Sequence, residues 1–187
     1  MKRGACVCVL LAVAAMMSAA QTKTTMTGTC GKPDVQQSVP AGDQPGHMYM
    51  VSQGKCTVTG SVNGAVAKQG MYSEEVDSNG MQMKNQGIYV VTFDSGDKAY
   101  YKYQGMATMK DGAYQGGTNK YEIVGGTGKM QGLHGSGSCK LTGTGGDNLD
   151  YTCTGTYAQG MASGNGSRGA GRATTPSQNP RMQTPTH

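Results

Sequence analysis

Beyond its first twenty residues, the sequence alternates apolar and polar side chains in short runs with a period of two. No stretch shows the period of an amphipathic helix. Glycine, asparagine and aspartate separate the runs, in turn-forming pairs such as Asn63-Gly64 and Asn79-Gly80. The pattern is typical of an all-β protein. We predict strands at 24–30, 47–59, 68–76, 81–94, 98–109, 114–124, 132–142 and 149–158.

The short connections imply that strands adjacent in sequence pair antiparallel. Eight strands in this order favour a closed up-and-down β-barrel, because closure removes exposed sheet edges. Glycines inside several of the predicted strands permit the tight coiling that a small barrel needs. The expected fold is therefore an eight-stranded antiparallel up-and-down β-barrel, followed by a disordered tail.

Both ends of the chain differ in composition from its middle. In residues 1–20, Lys2 and Arg3 precede a short apolar segment and then small residues, the pattern of a signal peptide. Residues 160–187 are rich in Gly, Ser, Thr and Pro and predict a disordered basic tail. The barrel domain should then span 21–159, and we expect export to the periplasm or to the outside of the cell.

Charge and hydropathy limit the classes of partner. Between residues 21 and 159 there are eleven lysines, eleven carboxylates and no arginine, so this span is formally neutral. A nucleic-acid-binding domain concentrates basic residues on its folded part, and we therefore expect no nucleic-acid partner. No apolar run after the signal peptide is long enough to cross a bilayer as a helix.

Four cysteines remain after the signal peptide, and their spacing includes no C-x-x-C pair. An even number in an exported chain favours disulfides over a metal or redox site. Four cysteines allow three connectivities. We expect Cys30–Cys56 and Cys139–Cys153, because each pair lies on strands predicted to be consecutive.

The segment "IVGGTGKMQGLHGSG" (123–137) contains a GGTGK run that is superficially like a phosphate-binding loop. The P-loop pattern would require glycine at Ile123 and Ser or Thr at Met130, and both requirements fail. No predicted helix follows to hold a phosphate at its N-terminus. The segment is better explained as a strand, a tight glycine turn and a second strand.

The stretch "YEIVGGTGKMQGLHGSGS" resembles the segment of dirigent proteins and allene oxide cyclases in which an apolar strand runs into a GG[TS]G turn. The resemblance implies an eight-stranded barrel whose lumen takes a small hydrophobic molecule. In those families the lumen guides a cyclisation or a radical coupling with no metal or organic cofactor, so we expect no cofactor here. No catalytic residue of those families can be matched to a position in this sequence.

Ten tyrosines dominate the aromatic content, most densely in "AYYKYQG" (99–105). Tyr101 and Tyr103 share one face of their predicted strand, and we predict that they line the lumen and contact the ligand. Ordinary core packing is the alternative. Glu122 and His134, on the next two strands, are further candidates for a polar lumen, and Glu122 is the candidate for a catalytic acid or base.

Two other groups of side chains have simpler explanations than a functional site. "HMYM" (47–50) combines His47 with two thioethers that suit Cu(I) or Ag(I). Methionine as a core filler is the preferred explanation, since only three leucines follow the signal peptide, and we expect no metal site. Glu74, Glu75 and Asp77 lie near a predicted turn and are expected to be solvated.

Three functions follow from this interpretation. The first is non-catalytic binding of a small apolar or aromatic ligand, which an open, uncharged lumen would favour. The second is a cofactor-free cyclase or isomerase, which a lumen with a buried carboxylate would favour. The third is an envelope or surface interaction scaffold, which a lumen filled with side chains would favour.

Overall fold

The computed structural model describes residues 21–111, 113–145 and 148–160. These residues form one antiparallel sheet of ten strands and a single turn of 3-10 helix, Gly128–Met130. The strands are β1 (Thr22–Cys30), β2 (Val35–Pro40), β3 (Met48–Cys56), β4 (Thr59–Val62), β5 (Ala65–Ser78), β6 (Gln82–Phe93), β7 (Lys98–Lys110), β8 (Ala113–Gly126), β9 (Leu133–Gly145) and β10 (Asn148–Gln159). The predicted signal peptide and all of the predicted tail after residue 160 lie outside the described residues.

The sheet closes on itself through its first and last strands. β1 pairs with β10 over nine residue pairs, from Thr22↔Tyr157 to Cys30↔Leu149. From β5 to β10, each strand pairs with the next in sequence. The ring is completed where β5 pairs with both β3 and β4, and where β1 pairs with β4 and meets the end of β3. The predicted all-β antiparallel barrel is confirmed.

The strand count differs from the eight predicted, for two local reasons. The predicted strand 47–59 is divided, because the chain leaves the ladder at Thr57 and Val58, and β3 and β4 share one position in the ring. β2 is an additional strand that pairs only with β3. Its sequence, VQQSVP, shows no clear alternation and ends in proline, and all six residues are exposed.

The turn chemistry read from the sequence is seen at the β4–β5 hairpin. Asn63 and Gly64 have φ values of 50° and 76°, the left-handed conformation that a two-residue hairpin turn requires. The Asn63 side chain also donates to the Lys129 carbonyl at 2.9 Å and to Gln159 Oε1 at 2.7 Å. These bonds fix the hairpin against the segment that closes the same end of the barrel.

That end is filled by an apolar plug. Met130, in the 3-10 turn after β8, is fully buried and belongs to the same core cluster as the fully buried Phe93, Leu133, Val62 and Val91. The glycine-rich turn is held by Lys98, whose backbone N–H donates to Thr127 Oγ1 at 2.9 Å and whose carbonyl accepts from the Thr127 N–H at 2.8 Å. The GGTGK run therefore carries the plug rather than a phosphate site.

Deeper in the barrel, tyrosine rings lie over glycines of the neighbouring strand. Tyr121 and Gly137 are direct partners in the β8–β9 ladder, and Tyr151 and Gly28 are direct partners in the β1–β10 ladder. A Cβ atom at Gly137 would lie 2.5 Å from the Tyr121 hydroxyl oxygen, and one at Gly28 would lie 2.6 Å from Tyr151 Cζ. Glycine at these positions makes room for the aromatic rings that project into the lumen.

Both predicted disulfides are present, Cys30–Cys56 and Cys139–Cys153. Each joins residues that face each other directly across a ladder, with Cα atoms 4.1 Å and 3.9 Å apart. Two bridges are compatible with the predicted export, since disulfides persist in oxidising compartments. Export itself stays a prediction. Within the described ranges, no helix is long and apolar enough to span a membrane.

Candidate functional site

The half of the lumen remote from the Met130 plug is not filled. It contains a cavity of about 140 Å³, lined by seven tyrosines together with apolar, cysteine and amide side chains. An engineered apolar cavity of roughly this size is known to hold one benzene molecule, so the space suits a single substituted ring. The tyrosines that line it are Tyr72, Tyr89, Tyr101, Tyr103, Tyr114, Tyr121 and Tyr151.

One carboxylate reaches this cavity. Glu74 Oε2 accepts hydrogen bonds from the Tyr103 hydroxyl at 2.9 Å and from Asn85 Nδ2 at 3.1 Å, and Oε1 accepts from Ser52 Oγ at 3.1 Å. Glu74 and Tyr103 lie on β5 and β7, and their common partner on the strand between them is Gly87. Because Gly87 has no side chain, the two residues meet across β6.

The tyrosines remain neutral hydroxyl groups at physiological pH. Burial raises the pKa of both Tyr72 and Tyr114 to about 12. Burial also raises the pKa of Tyr89, Tyr101 and Tyr103, and the negative charge of Glu74 raises that of Tyr103 further. These hydroxyls can donate and accept hydrogen bonds, but they do not act as bases near neutral pH.

Some of the hydroxyls are used within the protein. Tyr151 donates to the Thr57 carbonyl at 3.1 Å and contacts the Tyr89 hydroxyl at 2.8 Å. Tyr101 and Tyr121 pack edge to face, with ring centroids 5.7 Å apart. These contacts fix the aromatic walls, so the cavity has a defined shape before any ligand enters.

Four buried polar atoms in the described residues lack a hydrogen-bond partner, and all four belong to residues that line this cavity. They are Asn85 Oδ1, Tyr101 Oη, Tyr114 Oη and Asn119 Oδ1. Buried polar atoms in folded proteins are nearly always paired, and leaving one unpaired destabilises the fold. Their concentration around one space makes this cavity the candidate ligand-binding site.

The structure places two of the four candidate ligand-binding residues in the lumen. Tyr101 and Tyr103 are buried, 4% and 9% exposed, and both line the cavity, while their contact with a ligand stays a prediction. The lumenal positions predicted for Glu122 and His134 are wrong, since both side chains are exposed on the outer face. Tyr121 and Leu133, their neighbours in sequence, face inward, so the alternation turns Glu122 and His134 outward. Glu122 there lies opposite Lys102.

Glu74 is the lumenal residue that sequence reasoning missed. The turn nearby predicts that Glu74, Glu75 and Asp77 are all solvated, but only Glu75 of the three is exposed. The available signal was its position midway between Tyr72 and Val76, which share its face of β5.

The residues of "HMYM" are arranged differently from a metal site. His47 Nδ1 lies 2.6 Å from Asp43 Oδ1, and Nε2 lies 2.8 Å from Asp77 Oδ1, so both ring nitrogens have carboxylate partners. The Asp77 and Asp43 carboxylates raise the pKa of His47, with Asp77 the larger influence. Across the residues that the structure describes, no group of three or more His, Cys, Asp or Glu side chains is arranged to hold a metal ion.

A larger, open depression of about 970 Å³ lies outside the lumen and extends from β2 to β8. It is lined in part by exposed apolar residues, including Val39, Tyr49 and Met106, and by charges of both signs, such as Glu75 and Lys84. The enclosed lumen is the better candidate site because it contains the unpartnered buried groups.

The comparisons with known proteins concern the fold. No protein-family model matches the sequence, and no curated protein matches it. Among solved structures, the fold is similar to a pterocarpan synthase dirigent protein, at 13% identity and a TM-score of 0.45, covering 82% of this chain and 98% of the other. It is also similar to a conserved protein of unknown function from Rhodopseudomonas palustris, at 11% identity and a TM-score of 0.38, covering 74% and 99%.

Proposed function

We propose that the lumen binds one small aromatic molecule carrying hydrogen-bonding groups, without transforming it. Glu74 is only half-buried, and both of its carboxylate oxygens already accept hydrogen bonds from the protein, which favours binding over proton transfer. The observation that carries this proposal is the set of four unpartnered polar atoms around a single aromatic-walled cavity. A purely apolar ligand would leave those atoms unpaired, whereas a ring with hydroxyl or amino substituents would pair with them. The cavity volume of about 140 Å³ limits the ligand to about one ring.

A second candidate function is a cofactor-free isomerase or cyclase, favoured by Glu74 in the lumen. Its carboxylate is positioned to take a proton from one carbon of a bound molecule and return it at another, a step that balances without any co-reactant. The Tyr103 hydroxyl, which stays protonated, would orient this base through the 2.9 Å hydrogen bond. The two functions share a site and differ in whether the ligand leaves unchanged.

The first experiment is native mass spectrometry of the protein purified from its own host, compared with the same sample after denaturation and refolding. A non-covalent adduct of about 100–200 Da, the mass of one substituted ring, that is lost on refolding supports the proposal. Returning the isolated molecule to the refolded protein separates the two functions, because a carrier releases it unchanged and an isomerase releases a product of equal mass.

A pair of variants locates the binding site. Ala107 is buried and lines the cavity, so Ala107→Leu should fill part of it and abolish the adduct. Met106, the next residue, is 50% exposed on the outer face, and Met106→Leu is the matched control. If the adduct survives Ala107→Leu in a folded protein, the ligand lies elsewhere and the lumenal proposal fails.

A further inference from the structure

The lining of the lumenal cavity contains one negatively charged side chain and no positively charged one. Of the residues that line the cavity, Glu74 alone carries a formal charge, and none is lysine, arginine or histidine. The ion pairs formed within the described residues are His47 with Asp43 and Asp77, and Lys55 with Asp34, so Glu74 has no cationic partner there. Its three hydrogen-bond donors, Tyr103, Ser52 and Asn85, are all neutral.

A carboxylate withdrawn from water is stabilised most by a nearby positive charge. The half-buried Glu74 has neutral donors at hydrogen-bond distance but no compensating charge. The aromatic rings around it present negative π faces, which also attract cations and repel anions. Both features favour a positively charged occupant.

The unpartnered amide atoms that line the same cavity as Glu74 are acceptors as well. Asn85 and Asn119 both pair with Gly105 on the strand between them, one in each ladder. Asn85 Nδ2 donates to Glu74, which directs Asn85 Oδ1 away from the carboxylate, and this atom and Asn119 Oδ1 have no partner. A Cβ atom at Gly105 would overlap Asn119 Oδ1, so the absence of a side chain at Gly105 is what lets the Asn119 amide lie over this strand.

We infer that the lumen selects a small aromatic ammonium compound, with the cationic nitrogen placed among Glu74, Asn85 Oδ1 and Asn119 Oδ1. An ammonium group has three N–H donors and no acceptor, which matches three oxygen acceptors. The aromatic ring of the ligand occupies the tyrosine-lined space, where Tyr101 and Tyr114 have free hydroxyls for a ring substituent. The inference rests on the proposed function, since it specifies the charge of the ligand in the same cavity.

The test uses three probes of nearly equal size. They are 4-hydroxybenzylamine, a cation at neutral pH; 4-hydroxybenzyl alcohol, its neutral counterpart; and 4-hydroxybenzoate, an anion. Isothermal titration calorimetry of the ligand-free protein at low salt should show the amine binding about tenfold tighter than the alcohol, the increment of one charge-assisted hydrogen bond. The anion should bind most weakly.

Glu74→Gln should remove most of the preference for the amine and leave the affinity for the alcohol almost unchanged. Glu75→Gln is the matched control, because Glu75 is the exposed neighbour on the same strand and should leave the preference intact. Since the ratio of affinities is measured first on the unmutated protein, the inference is decided even if Glu74→Gln does not fold.

The outcomes separate the two proposals. If the alcohol binds as tightly as the amine or more tightly, the cationic inference is overturned and the lumenal ligand site stands. If none of the three probes binds at millimolar concentration and the protein from its own host carries no adduct, the proposed function fails as well.

Discussion

The Tyr103 hydroxyl donates to Glu74 Oε2 at 2.9 Å across the bare backbone of Gly87. Tyr103→Phe removes one of three donors to this carboxylate without changing the shape of the ring. We expect a loss of about 1.5–3 kcal/mol in the free energy of unfolding, the usual range for a hydrogen bond to a charged group. Urea denaturation measures it.

The control for this variant is Tyr100→Phe, one of the adjacent tyrosines. The Tyr100 side chain points to the outer face of β7, and its change should leave the unfolding free energy within about 0.5 kcal/mol. Equal effects of the two variants would show that the Glu74–Tyr103 contact contributes nothing specific.

Tyr101→Phe should stabilise the ligand-free protein, whereas Tyr103→Phe should destabilise it. The Tyr101 hydroxyl is buried without a partner, so deleting it removes an unsatisfied polar group and should raise the unfolding free energy of the ligand-free protein by about 1 kcal/mol. The same change should weaken ligand binding. Paired urea denaturation and calorimetry check this, and a variant that loses stability would mean that the hydroxyl is satisfied within the empty barrel.

The disulfides should contribute unequally. Replacing Cys139 and Cys153 by alanine removes a bridge that closes a 14-residue separation, and should lower the unfolding free energy by about 3 kcal/mol. The Cys30–Cys56 bridge closes a 26-residue separation, and its loss should cost roughly 0.5 kcal/mol more by the loop-entropy relation. Urea denaturation of the two double variants, each with the other bridge intact, compares them.

Stability should depend on pH through His47. Its pKa is raised in the folded protein by Asp77 and Asp43, so the stabilisation is fully present below the ordinary value of 6.5 and is lost as the pH rises through the folded value. His47→Gln should therefore lower the urea midpoint more at pH 5.5 than at pH 8.5. His134→Gln, at an exposed position, is the control and should shift the midpoint little at either pH.

Gly137→Ala should destabilise the barrel through the Tyr121 contact. The added Cβ atom would also collide with the Thr154 carbonyl oxygen on β10, so neither neighbour can simply move aside. We expect a cost of about 1–3 kcal/mol, as for other overpacked interiors. Gly31→Ala is the matched control, since a Cβ atom there would lie 3.5 Å from Asn148 Oδ1, an ordinary contact. Thermal denaturation compares the two.

The ring of strands was predictable because alternation and turn chemistry are local properties. Asn63-Gly64 determines its hairpin with little help from the rest of the chain, and the paired cysteines follow from consecutive strands. β2 was not predictable, because its polar sequence is held only by the ladder to β3. The order of strands along the chain therefore predicts their pairing only for strands that also show a buried face in their sequence, which β2 does not.

The site was predictable only in part, because alternation gives two faces without saying which is inside. Tyr101 and Tyr103 were assigned correctly since aromatic rings gain most from burial. For Glu122, the buried Tyr121 beside it should have decided the face. Glu74 lies inside because Gly87 leaves room for it to reach Tyr103, a relationship between three strands that appears only once they are in register.

The ladder between β1 and β10 sets the order in which this protein can mature. Nine residue pairs join the first strand to the last, so the ring cannot close until β10 is available to pair with β1. The Cys30–Cys56 bridge can form early in that sequence, whereas Cys139–Cys153 must wait for the final hairpin. A chain stopped before Asn148 would keep its early bridge but expose two unpaired sheet edges. It would remain an open sheet, prone to aggregation and proteolysis.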